Sequence, residues 1–222
     1  MATALEDLPA EFAIFPLGGA LLLPGGKLPL NIFEKRYLRM VDDSLSSGRV
    51  IGMIQPDESR RSTPSGPALY KIGCLGRLSS FSETDDGRYL ITLTGVIRFA
   101  TQVELEVKRG YRRVRADLAR FRQDLATIEP DPIDREALLA ALRAYFQAHG
   151  FDANWDAIEE MPDVALVNTL AMVCPFEMPE KQALLEAQTE ADRAGTLLAL
   201  LQMGAHSDDF GRSGGQPGRR AT

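Results

Sequence analysis

An α+β protein, β domain first and helices after it, is the fold class that three features of the sequence predict. Up to Leu118 the apolar residues come in short runs broken by Gly and Pro, or alternate with polar ones, which is the signature of strands. Glu129-Pro130-Asp131-Pro132 then resists both helix and ladder. Beyond it the apolar residues recur at helical spacing. The 222 residues, 45% of them hydrophobic, leave ample material for a core. The expected divisions are an N-terminal arm over 1–11, a β domain over 12–128, a helical bundle over 129–206 and a tail over 207–222. Gly, Ser, Asp and Arg dominate that tail, and such a composition predicts disorder.

The β domain is organised around residues 12–45, FAIFPLGGALLLPGGKLPLNIFEKRYLRMVDDSL. Residues 12–17 and 20–23 read as two strands separated by Gly18-Gly19. After Pro24-Gly25-Gly26 the period becomes helical, with Phe33, Tyr37, Met40, Val41 and Leu45 on the face that seeks a core and Gly48 as the C-terminal cap. Residues 50–55 form a further strand and 56–68 a polar loop. Residues 69–81 and 88–94 form a hairpin around the acidic turn Glu83-Thr84-Asp85-Asp86-Gly87. Gly95 predicts a bulge or bend, and 96–99, 103–107 and 111–118 complete six or seven strands. In the helical half, Leu138, Leu139, Leu142, Tyr145 and Phe146 form one stripe ending at Gly150. A short segment around Trp155 follows, then helices beginning at Pro162, at Pro179 and at the capping-box pair Thr189 and Asp192.

Charge and motif content remove several function classes. A net charge of −6 and a pI near 5.1 argue against a constitutive nucleic-acid binder. Cys74 and Cys174 belong to no C-x-x-C pair, so neither a zinc site nor a disulfide framework is expected. The N-terminus has the wrong charge for a signal peptide and no stretch is long enough to span a bilayer, so a cytoplasmic protein is expected. Gly26-Lys27-Leu28 lacks the spacing and the hydroxyl of a phosphate loop. Gly211-Arg212-Ser213-Gly214-Gly215 matches G-x-S-x-G only in a low-complexity tail, and His149 and His206 have no nucleophile near them in sequence. No catalytic residues, cofactor or metal are expected, and the chain reads as a non-enzyme.

A resemblance runs through most of the chain. Phe15-Pro16-Leu17, Leu23-Pro24-Gly25, Leu28-Pro29-Leu30, Ile32-Phe33-Glu34, Arg36-Tyr37, Asp86-Gly87-Arg88, Gly95, Arg98-Phe99, Pro175-Phe176 and Glu180-Lys181-Gln182 with Leu184-Leu185-Glu186 occur in an order that resembles the N-terminal, substrate-binding domain of Lon proteases. The resemblance implies a PUA-like LON β-barrel with one inserted helix, followed by a helical bundle. It implies a stand-alone member without the ATPase and peptidase domains. In function it implies capture of unfolded or hydrophobic protein segments, with a protease or chaperone as a further partner.

Two surfaces compete for the binding role. The expected peptide-binding residues are Leu22, Leu23, Pro24, Leu28, Pro29 and Phe81. Strand alternation cannot turn Leu21, Leu22 and Leu23 all inward, so Leu22 is expected to face away from the β core. Packing of Leu22 on the helices is the alternative. The second surface is residues 108–122, where seven basic residues, Lys108, Arg109, Arg113 and Arg115 among them, face a single acid, Asp117. A solvated strand face is the favoured explanation there, and RNA binding to a PUA-like barrel is the alternative reading.

Overall fold

A computed structural model describes residues 4–126 and 132–207. The expected tail beyond Ser207 and the Glu129-Pro130-Asp131 boundary lie outside the described residues. Six strands, β1 (Glu11–Pro16), β2 (Lys27–Ile32), β3 (Val50–Ile54), β4 (Ile72–Glu83), β5 (Tyr89–Lys108) and β6 (Tyr111–Asp117), form one mixed sheet in the order β2-β5-β4-β3-β1-β6. β5 pairs with β6 as well, so β5-β4-β3-β1-β6 closes into a five-stranded barrel with β2 laid against the first half of β5. Closure leaves the ring itself without free edges. The β1–β3 pairing is parallel and every other pairing is antiparallel.

Residues 96–99 and 103–107 are parts of one strand rather than two, since β5 runs unbroken for 20 residues and bends to serve both the hairpin and the barrel. The bend coincides with the glycine expected to provide it. Register passes from Leu75↔Ile97 to Gly76↔Gly95, which leaves Val96 as the extra residue of a bulge.

Helix α1 (Lys35–Ser46) begins later than its period suggested and buries Tyr37, Met40, Val41 and Ser44. Leu45 is only half-buried, and Phe33, expected on the core face, precedes the helix and is 65% exposed. Leu28-Pro29-Leu30-Asn31-Ile32 instead forms β2. Its proline lacks an N–H, which an edge strand tolerates and an interior strand does not.

Residues 20–23, expected as a strand, are irregular, and that overturns the placement of Leu22. The alternation that would force one leucine outward applies only to a strand. Leu21, Leu22 and Leu23 are all buried here, Leu22 at 2% exposure. Two glycines make the room. A Cβ on Gly76 would lie 2.8 Å from Leu22 Cδ2, and one on Gly95 would lie 2.0 Å from the Leu23 carbonyl oxygen. The Gly25 N–H donates to the Gly95 carbonyl at 2.9 Å, and the Gly95 N–H to that of Gly26 at 2.8 Å.

The remaining helices are α2 (Arg135–His149), α3 (Trp155–Glu159), α4 (Asp163–Val173), α5 (Met178–Glu186) and α6 (Glu190–Ser207). The Asp134 side chain caps α2 at the Ala137 N–H, Gly150 closes it at φ 67°, and Thr189 and Asp192 form the expected reciprocal box ahead of α6.

The chain divides into two compact units, and the division does not follow the proline-rich boundary alone. One unit holds the barrel, α1 and residues 168–186; the other holds α2, α3, the first turn of α4, and α6. In the helical unit Leu138, Leu142, Tyr145, Leu197 and Leu201 are buried. Gly204 leaves room for the Tyr145 ring, which a Cβ would approach to 2.5 Å.

Candidate functional site

Beyond the barrel ring, the distal half of β4, the start of β5 and β2 form a three-stranded lobe. Side chains on its inner face fall in rows, Leu28–Leu93–Leu78, Leu30–Ile91–Phe81 and Ile32–Tyr89–Glu83. Leu78, Ile91, Leu93 and Ile32 are buried, Leu28, Leu30 and Tyr89 are half-buried, and Phe81 is 40% exposed. Burial thus decreases along β4 and β5 towards the hairpin tip, while Ile32 of β2 stays buried. The Phe81 and Tyr89 rings meet edge to face at 5.0 Å. The Tyr89 hydroxyl donates to Asp42 Oδ1 of α1 at 3.0 Å, a bond that also holds the phenol above its ordinary pKa. One aromatic ring is therefore anchored and its neighbour is left open to solvent.

Of the expected peptide-binding residues, the structure brings Leu28 and Phe81 onto this face. Pro29 lies on the opposite face, in the row of Thr92 and Ser80. Leu22 and Leu23 are core residues, and Pro24 is half-buried with its carbonyl accepting from Asn168 Nδ2 at 3.1 Å. Leu30 joins the face although it is not among the expected residues, because the helical period expected after Gly26 conceals strand β2. The meeting of Tyr89 with Phe81 was legible only through the hairpin register around Gly87, which pairs Phe81 with Ile91 and Glu83 with Tyr89.

The basic segment is partly neutralised by carboxylates. Asp43 takes Lys108 at 3.2 Å, Arg109 at 2.6 Å and the Tyr111 hydroxyl at 2.6 Å, and the Tyr111 bond leads the causes that lower its pKa. Glu11 accepts from Arg115 at 2.7 Å and lies 3.6 Å from Arg113. The buried Arg112 pairs with Glu104 at 2.7 Å and donates to the Pro67 carbonyl. Lys108 and Arg109 thus share one carboxylate and Arg113 and Arg115 another, so the positive charge of the segment is reduced but not cancelled.

Residues 168–186 meet the barrel through buried polar side chains. Lys181 Nζ donates to the Gly19 carbonyl at 2.6 Å, Gln182 Nε2 to that of Ile72 at 3.1 Å, and Gln55 Nε2 to Gln182 Oε1 at 3.2 Å. Arg98 is 2% exposed. It grips Asp124 with Nε at 2.9 Å and Nη2 at 2.8 Å, reaches the Leu185 carbonyl with Nη1 at 3.2 Å, and covers the Phe121 ring. Among the described residues no group of side chains could hold a metal ion, and no helix is long and apolar enough to cross a membrane.

Comparison with known proteins places these features. Residues 11–203 match the family described as the ATP-dependent protease La (LON) substrate-binding domain. The sequence is similar to the Lon protease of Anaeromyxobacter dehalogenans, with 24% identity over 88% of this chain and 23% of that protein, and to that of Flavobacterium johnsoniae, with 28% identity over 42% and 12%. The chain thus spans about a quarter or less of the length of the curated relatives it matches. The fold is similar to that of a Lon N-terminal domain protein from Xanthomonas campestris, with a TM-score of 0.58, 23% identity and coverage of 85% of this chain and 97% of that one. It is also similar to the N-terminal domain of a Mycobacterium avium complex Lon protease, with a TM-score of 0.57, 12% identity and coverage of 89% and 98%.

Proposed function

This chain belongs to the LON substrate-binding domain family, and on that premise we propose that it binds protein or peptide segments without catalysing their cleavage, in a substrate-recognition role related to Lon-type proteolysis in the cytoplasm. The observation that carries this reading is the lobe face, where Phe81 stands open beside an anchored Tyr89, with half-buried Leu28 and Leu30 on the same face two strands away. An apolar surface of this kind takes exposed hydrophobic side chains of an unfolded partner. The non-catalytic part of the reading draws on Lys27, which opens strand β2 rather than a helix and so lacks the backbone of a phosphate loop. The chain's net charge of −6 and the ion pairs that Asp43 and Glu11 make with the basic segment weigh against the RNA alternative.

The test is fluorescence anisotropy with a labelled, permanently unfolded protein and the variant Phe81→Asp. The new carboxylate stays hydrated in the free protein and is desolvated only in the complex. Affinity should fall about tenfold or more, which corresponds to about 1.4 kcal/mol or more, while the melting temperature shifts little. Undiminished affinity in the folded variant would remove the lobe from the binding site.

A further inference from the structure

We propose that the free edge of β4 at residues 79–83 takes an added β-strand, and that its partner is an extended apolar peptide segment with basic residues at its N-terminal end. This proposal rests on the substrate-recognition reading and specifies how a segment would be held. β4 pairs with β3 only as far as Val50↔Arg77, and the Leu78 N–H closes that side on the Arg49 carbonyl. From Ser79 to Glu83 the strand pairs with β5 alone, and all five residues are exposed.

The register says which backbone groups are open. The Thr84 N–H donates to the Arg88 carbonyl at 2.9 Å, so in an antiparallel ladder Ser82 and Ser80 also turn their amides towards β5, while Phe81 and Glu83 turn theirs outward. Three of the five side chains are serines, too short to cover the edge, and neither Lys nor Pro guards it. β2 offers the lobe's other edge, but Pro29 lacks the central donor there. An added strand beside β4 would extend the inner face next to Phe81, so alternate apolar side chains of the segment would lie against that ring.

Charge selects the end and the direction. Glu83 and Asp85 stand at the turn with no ion pair among the described residues, whereas Asp86 is already held by Arg88 at 2.6 Å. Antiparallel addition brings the N-terminal end of the segment to those two acids, where an ammonium group and lysines are favoured.

The probe is a ten-residue peptide of alternating leucine and threonine with two N-terminal lysines, labelled at its C-terminus. Its twin carries N-methyl groups on alternate amides and keeps every side chain. Strand addition predicts that N-methylation weakens binding more than tenfold. It also predicts that amide hydrogen exchange at Phe81 and Glu83 slows on binding, that Ser80 and Ser82 change little, and that the double variant Glu83→Gln, Asp85→Asn loses several-fold affinity at low salt. Equal binding of both peptides, or unchanged exchange at Phe81 and Glu83, overturns the proposal and leaves substrate recognition standing if the unfolded protein still binds. Failure to bind peptide and unfolded protein alike overturns both. A dimer in sedimentation velocity that Phe81→Lys dissolves would make a second copy the occupant and also overturn the peptide reading.

Discussion

Arg98 brings a permanent positive charge to a place that water barely reaches, and its surroundings answer for every part of it. Asp124 takes two guanidinium donors and the Arg98 backbone N–H, Leu185 takes another donor, and Phe121 covers the planar face. Such a pair contributes little net stability over an apolar replacement, but breaking it strands a buried charge at a cost of roughly 3–5 kcal/mol. Asp124→Ala should lose about that much in urea unfolding. The double variant Arg98→Met, Asp124→Leu should recover most of the loss; if it does not, the pair acts through geometry rather than charge. Leu22 invites a similar experiment. Its burial is worth roughly 1.5–3 kcal/mol, and an unpaired carboxylate in its place adds a larger desolvation cost. Leu22→Asp should therefore melt as early as Leu93→Asp, whose leucine is also fully buried, and unchanged melting of either variant would contradict its placement. The Leu21-Leu22-Leu23 run was misread because alternation was applied to backbone that is not a strand. The signal that could have corrected it, two glycines distant in sequence at positions 76 and 95, is legible only once the strands are paired.

At the level of the element, residues 168–186 were read correctly as helices and incorrectly as part of a separate bundle. The apolar period identifies Leu170, Leu184 and Leu185 as inward-facing, and it cannot register that Asn168, Lys181 and Gln182 are buried as well, because they go inward to satisfy carbonyls rather than to escape water. By contrast, the hairpin around Gly87, the α2 stop at Gly150 and the box at Thr189 follow from local backbone chemistry and were legible directly. The polar burial in this segment has a consequence at alkaline pH. Desolvation pushes the Cys174 thiol up to about 11 from an ordinary 9.0, and the same effect lowers Lys181. For Cys174 the folded state holds its proton longer than the unfolded state does, so its stability contribution is complete below pH 9 and is lost as pH rises to about 11. The loss is roughly 2–3 kcal/mol. Lys181 works in the opposite direction, since its unfolded form binds the proton more tightly and stability rises with pH up to 10.5. Cys174→Ala should accordingly flatten the decline in stability between pH 9 and 11, measured as urea midpoints across that range. A slope identical to that of the parent protein would mean that the thiol does not titrate in a buried site.

For the molecule as a whole, the decisive feature is that the barrel unit is discontinuous in sequence. Its described chain runs to residue 126, then contributes again from residue 168 to residue 186. The returning segment supplies the donors for the carbonyls of Gly19, Pro24 and Ile72, and its own Leu185 carbonyl is taken by Arg98. Intramolecular hydrogen bonds are worth about 1 kcal/mol each when made, and each buried partner left unsatisfied costs about 1–3 kcal/mol. Of the four bonds, those at Ile72 and Arg98 leave buried partners unsatisfied, whereas Gly19 is exposed and Pro24 half-buried. With the exposure of Leu21, Leu22 and Leu23 if the glycine-rich segment loosens, worth roughly 1.5–3 kcal/mol each, the loss enters the range of a typical domain's whole stability, about 5–15 kcal/mol. Residues 1–129 produced alone should therefore lack a cooperative unfolding transition, although every strand is present. Joining residues 168–186 to that piece through a flexible Gly/Ser linker should restore a sharp transition, because the linker replaces the helical unit as a connection and the donors return. Circular dichroism during urea titration distinguishes the two outcomes. If 1–129 unfolds as sharply, and at the same midpoint, as the linked form, the barrel is complete at the proline-rich boundary and the returning segment is only packed upon it.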